Sequence, residues 1–266
     1  MEPTPVATAT MVLIGLLLAM PNPTMAQTVQ GRTVSNSMSR GLAAIDTAAQ
    51  KGKYLFVFFW KENGEQVSSK YSAFQNATRN LADQADAVAI QISDPNEKPV
   101  VDKFGVSRAP MPLVLAVAPN GAVTKGLPIR FTEEQLREAI VSPCTAQCMK
   151  ALQDQKIVLL CVQSERTQFN HAAWQGVRQF KADKRFAKAT EVVELNPGDG
   201  REASFLQALQ VNPQTPQAVT VLLAPPGKPI AHFTGAVTKD QIVDKVEAGP
   251  CAGGQCGPDG CCGPKK

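Results

Sequence analysis

No two cysteines in this chain of 266 residues stand three apart, although it carries seven of them. The C-x-x-C arrangement, in which a helix start lowers one thiol's pKa and a second thiol resolves the mixed disulfide, is therefore absent. Histidine is scarcer still. His171 and His232 lie in no H-E-x-x-H or nucleophile motif and read as surface residues. Gly198-Asp199-Gly200 has no Gly-Lys-[Ser/Thr] ending, so it is a turn and not a phosphate loop. No basic run exists beyond Lys265-Lys266, and a net charge of +4 spread along the chain excludes a nucleic-acid-binding class. The Asp and Glu residues are scattered and define no acid–base pair, so no catalytic residue is named.

What is present is a globular composition, 44% hydrophobic and 19% charged, over a length that suits two domains. The apolar run Met11 to Met20 (MVLIGLLLAM) is too short to span a bilayer, and Pro21-Asn22-Pro23 breaks it. Thr24-Met25-Ala26 then offers small residues at both ends of a cleavage triplet. Residues 1–26 read as a signal peptide despite Glu2 in place of a basic residue; a retained anchor is the alternative. The expectation is export to the periplasm or the extracellular space, with no membrane span after cleavage. Disulfides persist in such compartments, and an odd cysteine count leaves at least one thiol unpaired, bound to another molecule or bound to a ligand.

The chain repeats itself. APMPLVLAVAPNG from Ala109 to Gly121 aligns without a gap on TPQAVTVLLAPPG from Thr215 to Gly227, and TEEQLREAI from Thr132 on TKDQIVDKV from Thr238. Both of the latter begin with a Thr N-cap and acidic residues in the first turn, and each unit ends in Pro-Cys, at 143–144 and 250–251. Periodicity predicts, for the first unit, a helix over 41–50, a buried strand over 53–60, a helix over 68–83, a strand over 87–93, a helix over 98–104, a hairpin from Leu113 to Val117 turning at 119–121, and a closing helix. The second unit follows the same order: 157–162, 171–181, 191–195, 201–209, a hairpin from Val219 and a last helix. The fold class is α/β, with a mixed central sheet flanked by helices in each unit.

The run Asp94-Pro-Asn-Glu-Lys-Pro-Val-Val-Asp-Lys-Phe-Gly-Val106, followed by Pro110, Pro112 and the turn Pro119-Asn120-Gly121, resembles the thioredoxin-like superfamily. The resemblance covers residues 40–141 well and 150–248 more faintly, and implies two tandem domains, 39–141 and 142–248. A linker (27–38) precedes them and a Cys/Gly/Pro-rich tail (249–266) follows. It also implies a cis proline: the upstream spacing and the internal repeat favour Pro110 with Pro216, and the spacing to the hairpin favours Pro112. In this family a Trp-containing segment runs into Cys-x-x-Cys at a helix start. Trp60 is present, but Asn63-Gly64-Glu65-Gln66 occupies the motif's place, and Arg166-Thr167-Gln168-Phe169 occupies it in the second unit. Both sites are redox-dead on this reading. A groove beside a cis proline can still pair with an extended peptide, making Trp60, Asn63, Gly64, Pro110, Pro112 and Pro216 binding candidates. Trp60 packing at the core edge is the competing reading.

Cys161 falls inside a buried strand and reads as a small apolar core residue. Cys144 and Cys148 share one helix face behind a Ser142 N-cap and Pro143 at N1, and could form a local disulfide or half a metal site. The tail, with Cys251, Cys256, Cys261 and Cys262, has no large apolar side chains and cannot bury a core. Disulfides, soft-metal binding of zinc or copper, and redox exchange stay open for it. The functional expectation is an exported, redox-inactive binding or scaffolding module with a protein or peptide partner. The alternatives are soft-metal handling through the tail and thiol–disulfide exchange through a displaced cysteine pair.

Overall fold

The computed structural model describes residues 39–248. The expected signal peptide and linker, and the four tail cysteines, lie outside the described residues. Among the described residues, no helix is long and apolar enough to cross a membrane.

The first half runs α1 (Arg40–Gln50), β1 (Tyr54–Trp60), α2 (Glu65–Arg79), β2 (Ala85–Gln91), α3 (Lys98–Phe104), β3 (Leu113–Val117), β4 (Val123–Pro128) and α4 (Glu133–Glu138). The second runs α5 (Pro143–Gln153), β5 (Ile157–Val162), α6 (Asn170–Ala182), β6 (Thr190–Leu195), α7 (Ala203–Ala208), β7 (Val219–Ala224), β8 (Lys228–Thr234) and α8 (Lys239–Ala248). The sheets have orders β2-β1-β3-β4 and β6-β5-β7-β8, each with one parallel pair and two antiparallel pairs. This is the expected architecture of two tandem thioredoxin-like domains. α2 starts three residues before its predicted position and β2 two residues before; α2 also stops at Arg79, short of Asp83.

The central strands explain the layers. β1 reads YLFVFFW and is buried on both faces, as a strand covered by helices on both sides must be. Tyr54, Phe56 and Phe58 point to the face of α2 and α4, with Phe74 and Leu136. Leu55, Val57 and Phe59 point to α1 and α3, with Ile45 and Val100. β5 divides in the same way, its Leu159 and Cys161 packing with Val177, Phe180 and Ile242 of α6 and α8.

α5 belongs to both cores. Ala146 and Met149 pack with Tyr54, Leu127 and Leu136 of the first half, while Cys148, Ala151 and Leu152 pack with Val158 and Leu206 of the second. Gln153 bonds the backbone of Val123 twice, through Oε1 at 3.0 Å and Nε2 at 2.6 Å. The Tyr54 hydroxyl donates to the Val141 carbonyl (2.7 Å) and accepts from the Val141 N–H (3.1 Å), tying β1 to the segment before α5.

Helix starts repeat between the halves. Thr132 and Gln135 form a reciprocal capping box, and Thr238 with Gln241 makes the same pair of bonds. Ser39 and Ser142 cap α1 and α5 by accepting from Leu42 N and Thr145 N. Each serine hydroxyl donates to a buried glutamate, Glu97 at 2.5 Å and Glu202 at 2.6 Å. Both glutamates close a short turn begun by an aspartate cap, in the sequences Asp94-Pro-Asn-Glu97 and Asp199-Gly-Arg-Glu202.

Candidate functional site

The proline expectation is settled in part against the sequence reading. The cis bond lies at Met111-Pro112, not at Pro110, and Pro216 is not cis; Ala218 stands at the Pro112 position, directly before β7. A second cis bond, Pro225-Pro226, sits in the β7–β8 turn. Pro110 and Pro216 are exposed and Pro112 is buried.

In the first half, Trp60 ends β1 half-buried and packs on the edge of the core formed with Phe58 and Phe74. Gly64 caps α2 with extended backbone and no side-chain bond, and Glu65 to Gln66 form the exposed first turn. Trp60 and Asn63 line a cleft of about 560 Å³ with Arg40, Tyr71, Gln91 and Asp94. None of the candidate prolines lines it. Pro112 instead adjoins Ile129, whose N–H donates to the Pro112 carbonyl at 2.7 Å. Lys70 Nζ reaches the Ile129 carbonyl at 2.6 Å.

Ile129 was not legible in the sequence. It is 47% exposed and has φ +63°, a conformation that a β-branched residue adopts only under constraint. The other large apolar side chain exposed among the described residues is Phe169, at 51% and φ +64°, which caps α6 as Gly64 caps α2; the residue that matches Ile129 is Gly235, whose N–H donates to the Ala218 carbonyl at 2.7 Å. Ile129 thus stands beside Pro112, and Phe169 stands at the start of α6.

The second edge is closed from within. Gln168 N–H donates to the Pro216 carbonyl and Ala218 N–H donates to the Gln168 carbonyl, both at 2.9 Å, forming a parallel bridge with Gln217. Ser164, Thr167 and Asn170 lock the same loop, with the buried Thr167 hydroxyl 2.6 Å from Asn170 Oδ1 and 2.9 Å from Ser164 N. Pro216 and Arg166 line a broad cleft of about 940 Å³ outside this bridge. Backbone pairing at this edge is already used by the chain itself, and Ala218, not Pro216, stands at the Pro112 position.

None of the three described cysteines lies at either edge. Cys161 is buried in β5, and burial, with Glu194 adding, pushes its thiol up to about 12. The thiol of Cys148 is pushed far above the usual range, first by its hydrogen bond with Cys144, then by burial and by the charge of Glu202. Cys144 is half-buried at the start of α5, and all three thiols are free. Among the described residues no group of three or more His, Cys, Asp or Glu side chains converges as a metal site. His171 and His232 are exposed.

The Cys161 result gives a pH expectation. The thiol ionises near 9.0 when exposed and near 12 when folded, so the folded state loses stability as pH rises from 9 toward 12 and none below 9. Iodoacetamide at pH 8 should label Cys144 in the native protein and Cys161 only after unfolding. Native labelling of Cys161 at a rate similar to Cys144, read by peptide mass, would contradict its burial.

No protein-family model matches the chain, and no curated protein matches it. Solved structures similar to it include the first two thioredoxin domains of Saccharomyces cerevisiae Eps1p, at 8% identity and TM-score 0.27, covering 76% of this chain and 95% of that one. The zinc-bound form of human ERp44 shares 9% identity at TM-score 0.34; the match covers 77% of this chain and 58% of that one. The N/C domain of alkylhydroperoxide reductase AhpF from Enterococcus faecalis shares 16% at TM-score 0.29, covering 78% and 97%. At such identities the fold stands on the chain's own strand order and helix placement.

Proposed function

We propose that this thioredoxin-fold chain is an exported binding module without dithiol chemistry at either former site, and that its first half holds an extended peptide beside Pro112. The observation that carries this is the start of α2: Asn63-Gly64-Glu65-Gln66 offers no sulfur, while the described cysteines lie on α5 and β5. Asn and Gln side chains can bond a ligand but cannot attack a disulfide. Export is supported by the apolar run from Met11 to Met20 and the Thr24-Met25-Ala26 triplet. The peptide reading is supported by Ile129, an exposed apolar side chain held in left-handed backbone against Pro112, where a partner's apolar residue gains a dry contact.

Insulin reduction should show no turnover above background, with or without the tail cysteines. Screening a library of extended peptides should yield binders, and Ile129→Ser should weaken them by roughly tenfold, the loss of about 1–2 kcal/mol of apolar burial. Phe169→Ser, at the closed edge, should leave their affinity unchanged. Turnover that survives replacement of all four tail cysteines would overturn the reading, as would peptide affinity indifferent to Ile129.

A further inference from the structure

The net charge of this chain is concentrated in one place. Residues 178–188 (RQFKADKRFAK) hold five cations and one carboxylate, a net +4 that equals the net charge of all 266 residues, so the remainder is balanced. The even spread expected from the sequence does not hold. Phe180, Ala182, Phe186 and Ala187 interrupt these cations and hide the cluster from a search for basic runs. The matching stretch of the first half, residues 75–84, carries only Arg79 and Asp83. The fold closes that helix end without the cluster, so the charges are an addition particular to the second half.

The structure divides the five cations by role. Lys181 and Arg185 hold the turn between α6 and β6. Lys181 Nζ donates to the carbonyls of Ala187, at 2.7 Å, and Thr190. Arg185 pairs with Asp183 and, at 2.9 Å, with Glu247; its guanidinium lies over the Phe186 ring, which stacks on Phe180 with centroids 4.6 Å apart. Asp183 accepts from Phe186 N–H and Ala187 N–H through its carbonyl and holds Lys239 through its carboxylate. The side chains of Arg178, Lys184 and Lys188 are exposed and make no hydrogen bond or ion pair among the described residues. A firmly held turn thus presents three uncommitted cations. α8, which packs on α6, brings Lys239 and Lys245 with Asp240, Asp244 and Glu247, too few carboxylates to cancel the cluster.

The kind of partner follows from what the turn lacks. None of the five cations lines either cleft described above, so a pocketed anion does not fit. A protein partner draws most of its affinity from an apolar anchor at the centre of the patch. The large apolar side chains exposed among the described residues, Ile129 and Phe169, lie elsewhere; Phe169 precedes α6, at the other end of β5 and β6 from this turn. A nucleic-acid strand asks for open aromatic faces, and Phe180 and Phe186 are stacked on each other. An anionic bilayer asks only for charge near its surface, where each basic residue strengthens binding roughly fivefold.

We infer that the α6–β6 turn, through Arg178, Lys184 and Lys188, docks the folded protein on the surface of an anionic phospholipid bilayer. This goes beyond the peptide reading and does not depend on it. The contact is peripheral and electrostatic, with nothing inserted among the acyl chains.

The test uses the full chain with vesicles of phosphatidylcholine alone, or of phosphatidylcholine with about 30% phosphatidylglycerol, read by co-sedimentation at about 0.05 M salt. The readout is the gain on adding anionic lipid, so the apolar run from Met11 to Met20 counts equally on both surfaces. Three free cations should give a gain on the order of a hundredfold. It should vanish at about 0.5 M salt, where the charges are screened. Arg178→Gln, Lys184→Gln and Lys188→Gln together should remove the gain, with the melting temperature unchanged. Lys228→Gln, Lys265→Gln and Lys266→Gln, which take the same charge from other places, should leave it within about twofold. No gain with anionic lipid, equal losses in the two triple variants, or tighter binding to a DNA duplex or to polyglutamate than to the anionic vesicles would each overturn the docking surface.

Discussion

Gly176→Ala is expected to destabilise the second half by about 3 kcal/mol or more, at or beyond the top of the usual overpacking range. A Cβ built on Gly176 would lie 1.9 Å from the Val237 carbonyl oxygen, 2.7 Å from its carbonyl carbon and 3.2 Å from Thr238 Cα. These are backbone atoms, so no side-chain rotation relieves the overlap. Val237 is itself 2% exposed, and the following residue, Thr238, is pinned by its reciprocal bonds with Gln241 at the start of α8. Either α8 moves off α6 or α6 bends, and both open the packing of Phe180, Ile242 and Cys161. Urea unfolding should show the loss, and Cys161 should become alkylatable in the variant. Gly200→Ala is the control: nothing lies within 4 Å of its added Cβ, and the change should stay within about 0.5 kcal/mol. Equal stability of Gly176→Ala and the parent would mean that α6 and α8 do not approach through backbone.

That close approach shows where reading the sequence stops. Gly176 sits mid-helix in HAAWQGVRQF, and periodicity alone marks the helix but not the neighbour that demands a missing side chain. Strands β3, β5 and β7 were legible because continuous Val/Leu runs bounded by turn residues fit little else. β2 was displaced by two residues because ADAVAIQIS stays mildly apolar past Gln91, and the strand's end is set by its partner: Trp60, the last residue of β1, pairs with Gln91. The site divides the same way. The missing thiols of Asn63–Gln66 are visible as letters, whereas the exposed Ile129 and the bridge made by Gln168 depend on backbone dihedrals and on segments far apart in sequence. The role of α5 in both cores was hidden too, although its apolar positions at 146, 148, 149, 151 and 152 make a stripe wider than one core needs.

Glu97→Ala is expected to cost about 3 kcal/mol, a sum of lost charge-assisted hydrogen bonds and of amides left without a partner. The Glu97 side chain is 5% exposed and accepts from the Ser39 hydroxyl and from the first N–H groups of α1, at Arg40 and Gly41. Those amides have no carbonyl of their own to meet, so the carboxylate serves as their acceptor and lies at the positive end of the helix dipole. Water cannot replace it freely, because Gly41 is buried between Val100 and Ile90, leaving space too tight even for a Cβ. Glu97→Gln keeps the shape and one acceptor oxygen and should lose roughly half as much. Glu202→Ala should cost less than Glu97→Ala, since hydroxyls of Ser142 and Thr145 can turn to other acceptors and Pro143 has no amide to orphan. Urea melts of the three variants, with hydrogen exchange at Arg40 and Gly41, test the order. If Glu202→Ala proved the more damaging, the carboxylate would be holding the start of α5 through contacts other than these hydroxyls, and the comparison of α1 with α5 would have to be redrawn from that end.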